Sequence, residues 1–262
     1  MHNYLETAVE LGRQAGRIML EHFEMGVAAD LKADNSPVTI ADETINQLVI
    51  DRIAAEYPTH GVIGEEGSVG RPESSLQWVC DPIDGTLPYT LGIPTNVFSL
   101  ALVDDGAPVV SVIFDPYMDR MYTATLGDGA YRNQERIFVS DTTSLRDAVM
   151  NVAGRSARRA AALGGPIYAD LEQLGVRLLD HSSFVYEAVL VAAGMFDAAV
   201  FTKRTPWDAA AAVLLVSEAG GAATDVVGSL QRYDRAVNGT ILSNGKIHDD
   251  VKQVVGRHLI DS

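Results

Sequence analysis

Asp81-Pro82-Ile83-Asp84-Gly85-Thr86 carries two carboxylates three residues apart across a segment stiffened by proline. Both acids can face one point in space. Hard cations such as Mg²⁺ prefer carboxylate oxygens, and a shared carboxylate can hold two such ions about 3.5–4 Å apart. Gly85 is free to adopt backbone conformations that other residues resist. With Thr86 it can offer N–H groups and a hydroxyl to a phosphate. The plain alternative is a strand followed by a turn, where Asp, Pro and Gly are ordinary residues.

Other acids stand at comparable places. The apolar run 76–80 reads as a buried strand that delivers Asp81 at its carboxyl end, and Pro82, with no N–H for a ladder, should end it. Residues 62–64 read as a short strand running into Glu65 and Glu66. Asp208 follows Thr205-Pro206-Trp207 at the start of a helix expected over 207–219. Ala209 to Ala212 have no bulk, so this helix start can approach something closely, which would set Asp208 deep between two lobes. Asp42 falls in the first turn of a helix that begins near Ile40. For Asp42 and Asp208 taken singly, favourable interaction with the helix dipole accounts for the acid. Together, Glu65, Asp81, Asp84 and Asp208 are four acids at the ends of elements, with no basic run nearby to neutralise them. Unpaired buried carboxylates are costly, and cations make such a set tolerable.

The positioning elements divide into two halves. Leu5, Ala8, Val9, Gly12, Ala15, Gly16, Met19, Leu20 and Phe23 recur at helical spacing over about 3–24, and the small ones suggest close packing against another helix. A turn-rich loop over 31–39 leads to the helix from Ile40, which ends before Pro58. Residues 68–75 read as a surface loop and 87–94 as irregular. Segments 97–103 and 108–114 flank Asp104-Asp105-Gly106-Ala107, and 120–125 and 130–132 flank a second glycine-bearing turn, so an antiparallel meander is expected. Polar residues 140–144 suggest a lobe boundary, with lobes over 1–145 and 146–262. Beyond it strands near 148–152, 176–179, 197–201 and 236–243 alternate with helices near 155–163, 185–193, 207–219 and 247–259, an α/β pattern.

The 262 residues are 47% hydrophobic and 21% charged, ordinary for a soluble globular chain. A net charge of −15 argues against sequence-independent binding to nucleic acid or to an anionic membrane. Bound cations would reverse that sign locally at a phosphate site. The single cysteine, Cys80, lies in an apolar run and reads as a small buried hydrophobe. The opening Met-His-Asn-Tyr-Leu-Glu is polar and acid-bearing, unlike a secretory signal, and no apolar stretch is long enough to span a bilayer. A cytoplasmic protein is expected.

Gly64-Glu65-Glu66, the segment 81–86, Trp207-Asp208 running to Glu218-Ala219-Gly220-Gly221, and residues 36–42 (Ser-Pro-Val-Thr-Ile-Ala-Asp) together resemble the inositol monophosphatase family. These are Mg²⁺-dependent, lithium-sensitive phosphatases, a superfamily that includes fructose-1,6-bisphosphatases and 3′-nucleotide bisphosphate phosphatases. The resemblance spans nearly the whole chain. It implies an α+β fold, a layered αβαβα sandwich with an antiparallel-sheet N-terminal lobe and an α/β C-terminal lobe, usually assembled as a homodimer. It implies two or three Mg²⁺ ions: one on Glu65, Asp81 and the carbonyl of Ile83, a second on Asp81, Asp84 and Asp208, and a weaker third near Glu65. Gly85 and Thr86 N–H groups would hold the phosphate. A water oriented by Thr86 with Asp42, with Glu65 nearby, would attack phosphorus in line, without a covalent phosphoenzyme.

Departures from the family pattern bear on the substrate, a small-molecule phosphate ester. Leu87-Pro88 follows Thr86 where the family often carries a polar residue and Asn. Ser182-Ser183-Phe184 stands where inositol phosphatases have Gly-Ser/Thr-Ala lining the substrate. Phe201 takes the place of the acid that holds inositol hydroxyls, and an aromatic cannot accept those hydrogen bonds, which argues against inositol phosphate. Lys203 and Arg204 could bind a second phosphate or a carboxylate; two solvated loop cations are the alternative. The leading reading is a Mg²⁺-dependent phosphomonoesterase for a small polyol or sugar phosphate. Fructose 1,6-bisphosphate, histidinol phosphate, 3′-phosphoadenosine 5′-phosphate and a cyclitol or aminosugar phosphate of secondary metabolism are alternatives. A different class is a regulatory binding protein that keeps the fold, as some members do with the transcription machinery. The complete acid set argues against that as its sole role.

Overall fold

Alternation along the strands of one large sheet decides which helices cover which face. The structure, a computed structural model, describes residues 2–23, 26–32, 36–71, 73–153 and 161–259. Helix α1 (His2–His22) is followed by a minimal hairpin, β1 (Asp30–Leu31) with β2 (Pro37–Val38), and by α2 (Ile40–Glu56). A seven-stranded sheet then runs in chain order: β3 (Gly61–Gly64), β4 (Leu76–Asp84), β5 (Val97–Asp104), β6 (Ala107–Asp115), β7 (Arg120–Thr125), β8 (Gly129–Arg132) and β9 (Glu135–Arg136). Only its β3–β4 pair is parallel. The β5–β6 turn places Asp105 and Gly106 both at positive φ, as the Asp-Gly pair predicts for a tight hairpin.

Successive side chains on a strand point to opposite faces. Trp78 and Cys80 of β4 and Leu100 and Leu102 of β5 pack under α1 and α2, through Leu11, Met19, Ile45 and Val49. Their neighbours Val79, Ala101 and Val103 join a second core formed with helices of the other half. Both faces of the sheet are therefore buried, and its strands read as near-continuous apolar runs. The small residues of α1 serve the sheet rather than a helix, correcting the expectation. A Cβ on Gly12 would sit 3.3 Å from both Met121 and Val112, and one on Gly16 would run into the ring of Phe114.

The second half supplies β10 (Val149–Ala153), α4 (Ala161–Gln173), β11 (Arg177–Leu178), α5 (Phe184–Ala192), β12 (Ala198–Phe201), α6 (Ala210–Glu218), β13 (Ala222–Thr224), β14 (Thr240–Ser243) and α7 (His248–Arg257). The sheet order is β11-β10-β12-β14-β13, with β10 parallel to β11 and β12 and the remaining pairs antiparallel. Helices α5 and α6 lie between the two sheets, through Val185, Ala188, Ala211 and Leu215. On the far face Met150, Val200 and Ile241 meet Ile167, Leu171, Val251 and Val254 of α4 and α7. The layers are thus helix, sheet, helix, sheet, helix, an α+β sandwich as expected. The helix expected near 155–163 is described only from Ala161 onward; 155–160 lie outside the described residues.

Two local readings are corrected. β4 does not stop at Pro82: Asp81 pairs with Ser99 and Asp84 with Val97, so one extra residue is accommodated as a bulge at the proline. Residues 87–94 are not wholly irregular, because α3 (Thr86–Thr90) forms there. Pro88 is compatible with it, since a first-turn residue has no intrahelical acceptor for its N–H.

Candidate active site

The bulge in β4 aims its acids. Asp81 Oδ1 accepts from the N–H of Ile83 at 3.1 Å, which folds the segment back on itself before Asp84. Gly85 follows at φ 91°, ψ 42°, a left-handed conformation that turns the chain into α3. A Cβ there would lie 2.9 Å from Cβ of Ser183 and 3.3 Å from Cβ of Asn96, so glycine is demanded by both backbone and space. Asp208 sits in the turn before α6, where the N–H groups of Ala209 and Ala210 donate to Pro206 O at 3.1 and 2.9 Å. The alanines after it are fully buried, and the helix they open packs on β5 and β6 of the large sheet.

Asp81, Asp84 and Asp208 meet. Each offers one carboxylate oxygen, and the three atoms lie within 4.8 Å of one another, all from buried residues. Protein donors engage one oxygen of each acid. Asp84 Oδ2 accepts from Ser183 Oγ at 2.5 Å and from the N–H groups of Val185 and Tyr186 at 2.7 and 3.4 Å, which seats the first turn of α5 on this acid. Asp208 Oδ2 accepts from Thr205 Oγ1. The second oxygen of each acid has no donor among the described residues. Burial raises all three: Asp81 well above the carboxylate range, with Glu65 and Asp84 adding repulsion, Asp84 to about 6 and Asp208 to about 7. Three buried acids with unengaged oxygens form a hard-oxygen donor set, and a divalent cation fits it.

Glu65 stands outside that trio but within its electrostatic reach. Its N–H donates to Cys80 O at 3.2 Å, across the parallel β3–β4 pair. The expectation that no basic group neutralises the acids is corrected here. Lys32, from the end of the β1 strand, places Nζ 2.7 Å from Glu65 Oε1 and 2.5 Å from Glu66 Oε1. Burial works against the Lys32 charge, but its hydrogen bonds and attraction to the two glutamates outweigh that and raise its pKa. Burial leaves Glu66 at about 7.

Asp42 is more than a dipole partner. It is fully buried and closes a reciprocal cap on α2: Thr39 N–H and Oγ1 donate to its Oδ2 at 2.8 and 2.5 Å, and its own N–H donates to Thr39 Oγ1. Its Oδ1 lies 3.4 Å from Thr86 Oγ1, a hydroxyl that also reaches Ile83 O at 3.1 Å. Burial raises Asp42 to about 6 against the lowering effect of Thr39. The Thr-x-x-Asp spacing is a readable signal for this cap. Lys32, a lone basic residue in a polar loop, carries no comparable signal.

The expected substrate-lining residues separate. Ser183 is spent on Asp84, while Ser182 is exposed at φ 57° with its N–H donating to Asp180 Oδ1. Phe184 and Phe201 are core residues, 3% and 2% exposed, stacked at 4.4 Å between centroids. Neither offers a ligand much surface. Lys203 and Arg204 are exposed, and Lys203 Nζ lies 6.0 Å from the centroid of Phe201.

Comparison with known proteins bears on this arrangement. The sequence profile of the inositol monophosphatase family matches residues 1–258. The chain belongs to that family. A fructose-1,6-bisphosphatase/inositol-1-monophosphatase of Aquifex aeolicus is 30% identical over 99% of this chain and 97% of its own length. The Nus factor SuhB of Escherichia coli is 33% identical over 87% of each chain. The solved structure of an inositol monophosphatase from Thermotoga maritima superposes with a TM-score of 0.89 at 30% identity, covering 99% of both chains. The layered architecture is therefore that of the inositol monophosphatase fold, and the names of these relatives support a phosphatase of the same superfamily. No helix among the described residues is long and apolar enough to cross a membrane.

Proposed function

We propose that the chain is a Mg²⁺-dependent phosphomonoesterase for a small phosphate ester. The observation that carries this reading is the convergence of three buried carboxylate oxygens, from Asp81, Asp84 and Asp208, within 4.8 Å. Asp81, Asp84 and Asp208, with Glu65 and the carbonyl of Ile83, would hold two or three Mg²⁺ ions. When bound, such ions supply an acidified water and offset charge on the phosphate and the leaving oxygen. Lys32 holds only Oε1 of Glu65, which leaves Oε2 for a cation.

The chain's own groups do the rest. The N–H groups of Gly85 and Thr86 donate to the phosphate oxygens, in a turn fixed by the left-handed Gly85. Thr86 Oγ1 accepts from the attacking water while its own proton points to Asp42 Oδ1. Asp42, at about 6, is ionised at neutral pH and takes the proton through that hydroxyl. Ser183 and the first turn of α5 hold the rotamer of Asp84, and Thr205 holds that of Asp208. Homodimer assembly and a small-molecule substrate, without a direct nucleic-acid or membrane partner, belong to the same reading.

The test is phosphate release with Mg²⁺ across inositol 1-phosphate, fructose 1,6-bisphosphate, histidinol phosphate, 3′-phosphoadenosine 5′-phosphate and several sugar phosphates. Asp84→Asn is the control. It keeps an acceptor for Ser183 and Val185, so the variant should fold and lose at least about 100-fold in turnover, the scale of one lost electrostatic contact in an active site. The similarity to a Nus factor favours one second reading, a regulatory binding protein. Absence of Mg²⁺-dependent hydrolysis in a folded wild type would leave that reading and sink the enzyme.

A further inference from the structure

We infer that Asn46 is a positioning residue for Glu65: its amide ties the turn that carries Glu65 to α2, and so sets how tightly the cation joined by Glu65 is held. This rests on the phosphatase reading above and adds to it a residue that acts through another. Asn46 follows Asp42 by four residues, about one turn of α2, so both side chains leave the same face of the helix. From that face Asp42 reaches Thr86, and Asn46 reaches the turn over 64–68. One helix thus fixes both the hydroxyl that orients the water and the turn that brings Glu65.

The turn closes on itself. Val62 and Val69 exchange N–H···O bonds at 2.9 Å, and Ser68 Oγ accepts from the N–H of Gly64 at 3.2 Å and donates to its carbonyl at 3.3 Å. Asn46 fills the inside. Its Nδ2 donates to Gly67 O at 3.1 Å, and no other donor reaches that carbonyl among the described residues. A Cβ on Gly64 would run into Asn46 Oδ1, and one on Gly67 would lie 3.2 Å from Nδ2, so the amide occupies the room that the two glycines leave. Asn46 is 4% exposed, and its Oδ1 has no donor among the described residues. A buried acceptor without a donor is destabilising, and an apolar side chain of similar volume would fill the space without that penalty. What the amide adds is the single N–H on Gly67 O, two residues beyond Glu65. Glu65 is further fixed by its own N–H on Cys80 O and by Lys32 on Oε1. Partners of this outer kind orient a metal ligand, and their loss costs about 10- to 100-fold in metal affinity.

The experiment titrates the metal-free protein with Mg²⁺ alone in a calorimeter, as wild type, Asn46→Ala, Asn46→Leu, Glu65→Gln and each Asn46 variant combined with Glu65→Gln. Glu65→Gln marks the binding phase that Glu65 joins. Asn46→Ala should weaken that same phase by about tenfold or more and leave any other phase within about twofold. Asn46→Leu, which keeps bulk and loses the donor, should match it. In the Glu65→Gln background neither substitution should weaken Mg²⁺ binding further. In turnover, both should raise the Mg²⁺ concentration for half-maximal rate by the same factor and leave kcat at saturating Mg²⁺ close to the wild-type value. Thermal melting in chelator reads the fold of each variant separately. Asn46 variants that bind Mg²⁺ like the wild type, or a loss that persists without Glu65 or falls equally on every phase, overturn the role of Asn46. So does a failure of both Asn46 variants to fold, or a Glu65→Gln protein that binds Mg²⁺ like the wild type. Each of these leaves the phosphatase reading standing. A folded wild type that neither binds Mg²⁺ nor hydrolyses any ester of the broader panel overturns both.

Discussion

Gly85→Ala probes the joint at which fold and chemistry meet. Two costs follow from the structure. Alanine must adopt φ 91°, where a Cβ costs about 1–2 kcal/mol. That Cβ must also fit 2.9 Å from Cβ of Ser183 and 3.3 Å from Cβ of Asn96, an overpacking that costs about 1–3 kcal/mol. Since Ser183 begins α5 and bonds Asp84, relieving the clash moves the donors off the Asp84 carboxylate. The expected total is about 2–5 kcal/mol, with weaker Mg²⁺ binding alongside. Urea unfolding followed by the fluorescence of Trp78 and Trp207 measures the first, and calorimetric titration with Mg²⁺ the second. Gly70→Ala is the matched control, because a Cβ there meets nothing within 4 Å; it should stay within about 0.5 kcal/mol. A loss below about 1 kcal/mol for Gly85→Ala, with Mg²⁺ affinity unchanged, would refute the reasoning.

Three further outcomes are expected. Glu187 is fully buried and raised to about 7 by burial, and its Oε2 has no partner among the described residues. His181 N–H donates to Oε1 at 2.8 Å and its ring Nδ1 lies 3.6 Å from the same oxygen; both lower the pKa of Glu187, and burial outweighs them. Because the folded pKa is raised above the unfolded 4.5, the stability Glu187 contributes is complete below pH 4.5 and is lost as pH rises through 7. Glu187→Gln should therefore gain on the wild type between pH 5 and 8, by about 3 kcal/mol at most, in urea titrations at saturating Mg²⁺; a difference flat with pH would count against this. Lys32→Met removes the counter-cation of Glu65 and Glu66 and should cost about 1–3 kcal/mol without divalent cations and less with Mg²⁺, read as melting temperature in chelator and in Mg²⁺. Equal losses in both conditions would argue that Lys32 and the cation do not share these acids. Thr39→Ala breaks the cap on α2 and should cost about 1 kcal/mol in urea unfolding, with Thr39→Ser restoring most of it.

What the chain determines by itself is local. Helical spacing sets α1 and α2, the Asp-Gly turn sets the β5–β6 hairpin, and apolar runs mark strands buried on both faces. Asp81, Asp84 and Asp208 are readable as a set because a fold alone seldom requires acids at strand and helix ends beside Gly, Pro and Ala. These signals lie within a few residues of each other, where backbone sterics and periodicity act directly.

Tertiary structure decides what distance in sequence conceals. Pro82 stays within β4 because its partner strand allows a bulge, a property of pairing and not of proline. Lys32 reaches Glu65 across 33 residues, and Ser183 reaches Asp84 across 99, contacts that no local pattern encodes. Phe184 and Phe201, plausible as a binding wall from their places in the chain, turn their rings into the shared core because α5 and β12 are packed between layers. Residue types and spacing state which groups can do chemistry. The packing of one sheet through α5 and α6 onto the other settles which of them meet.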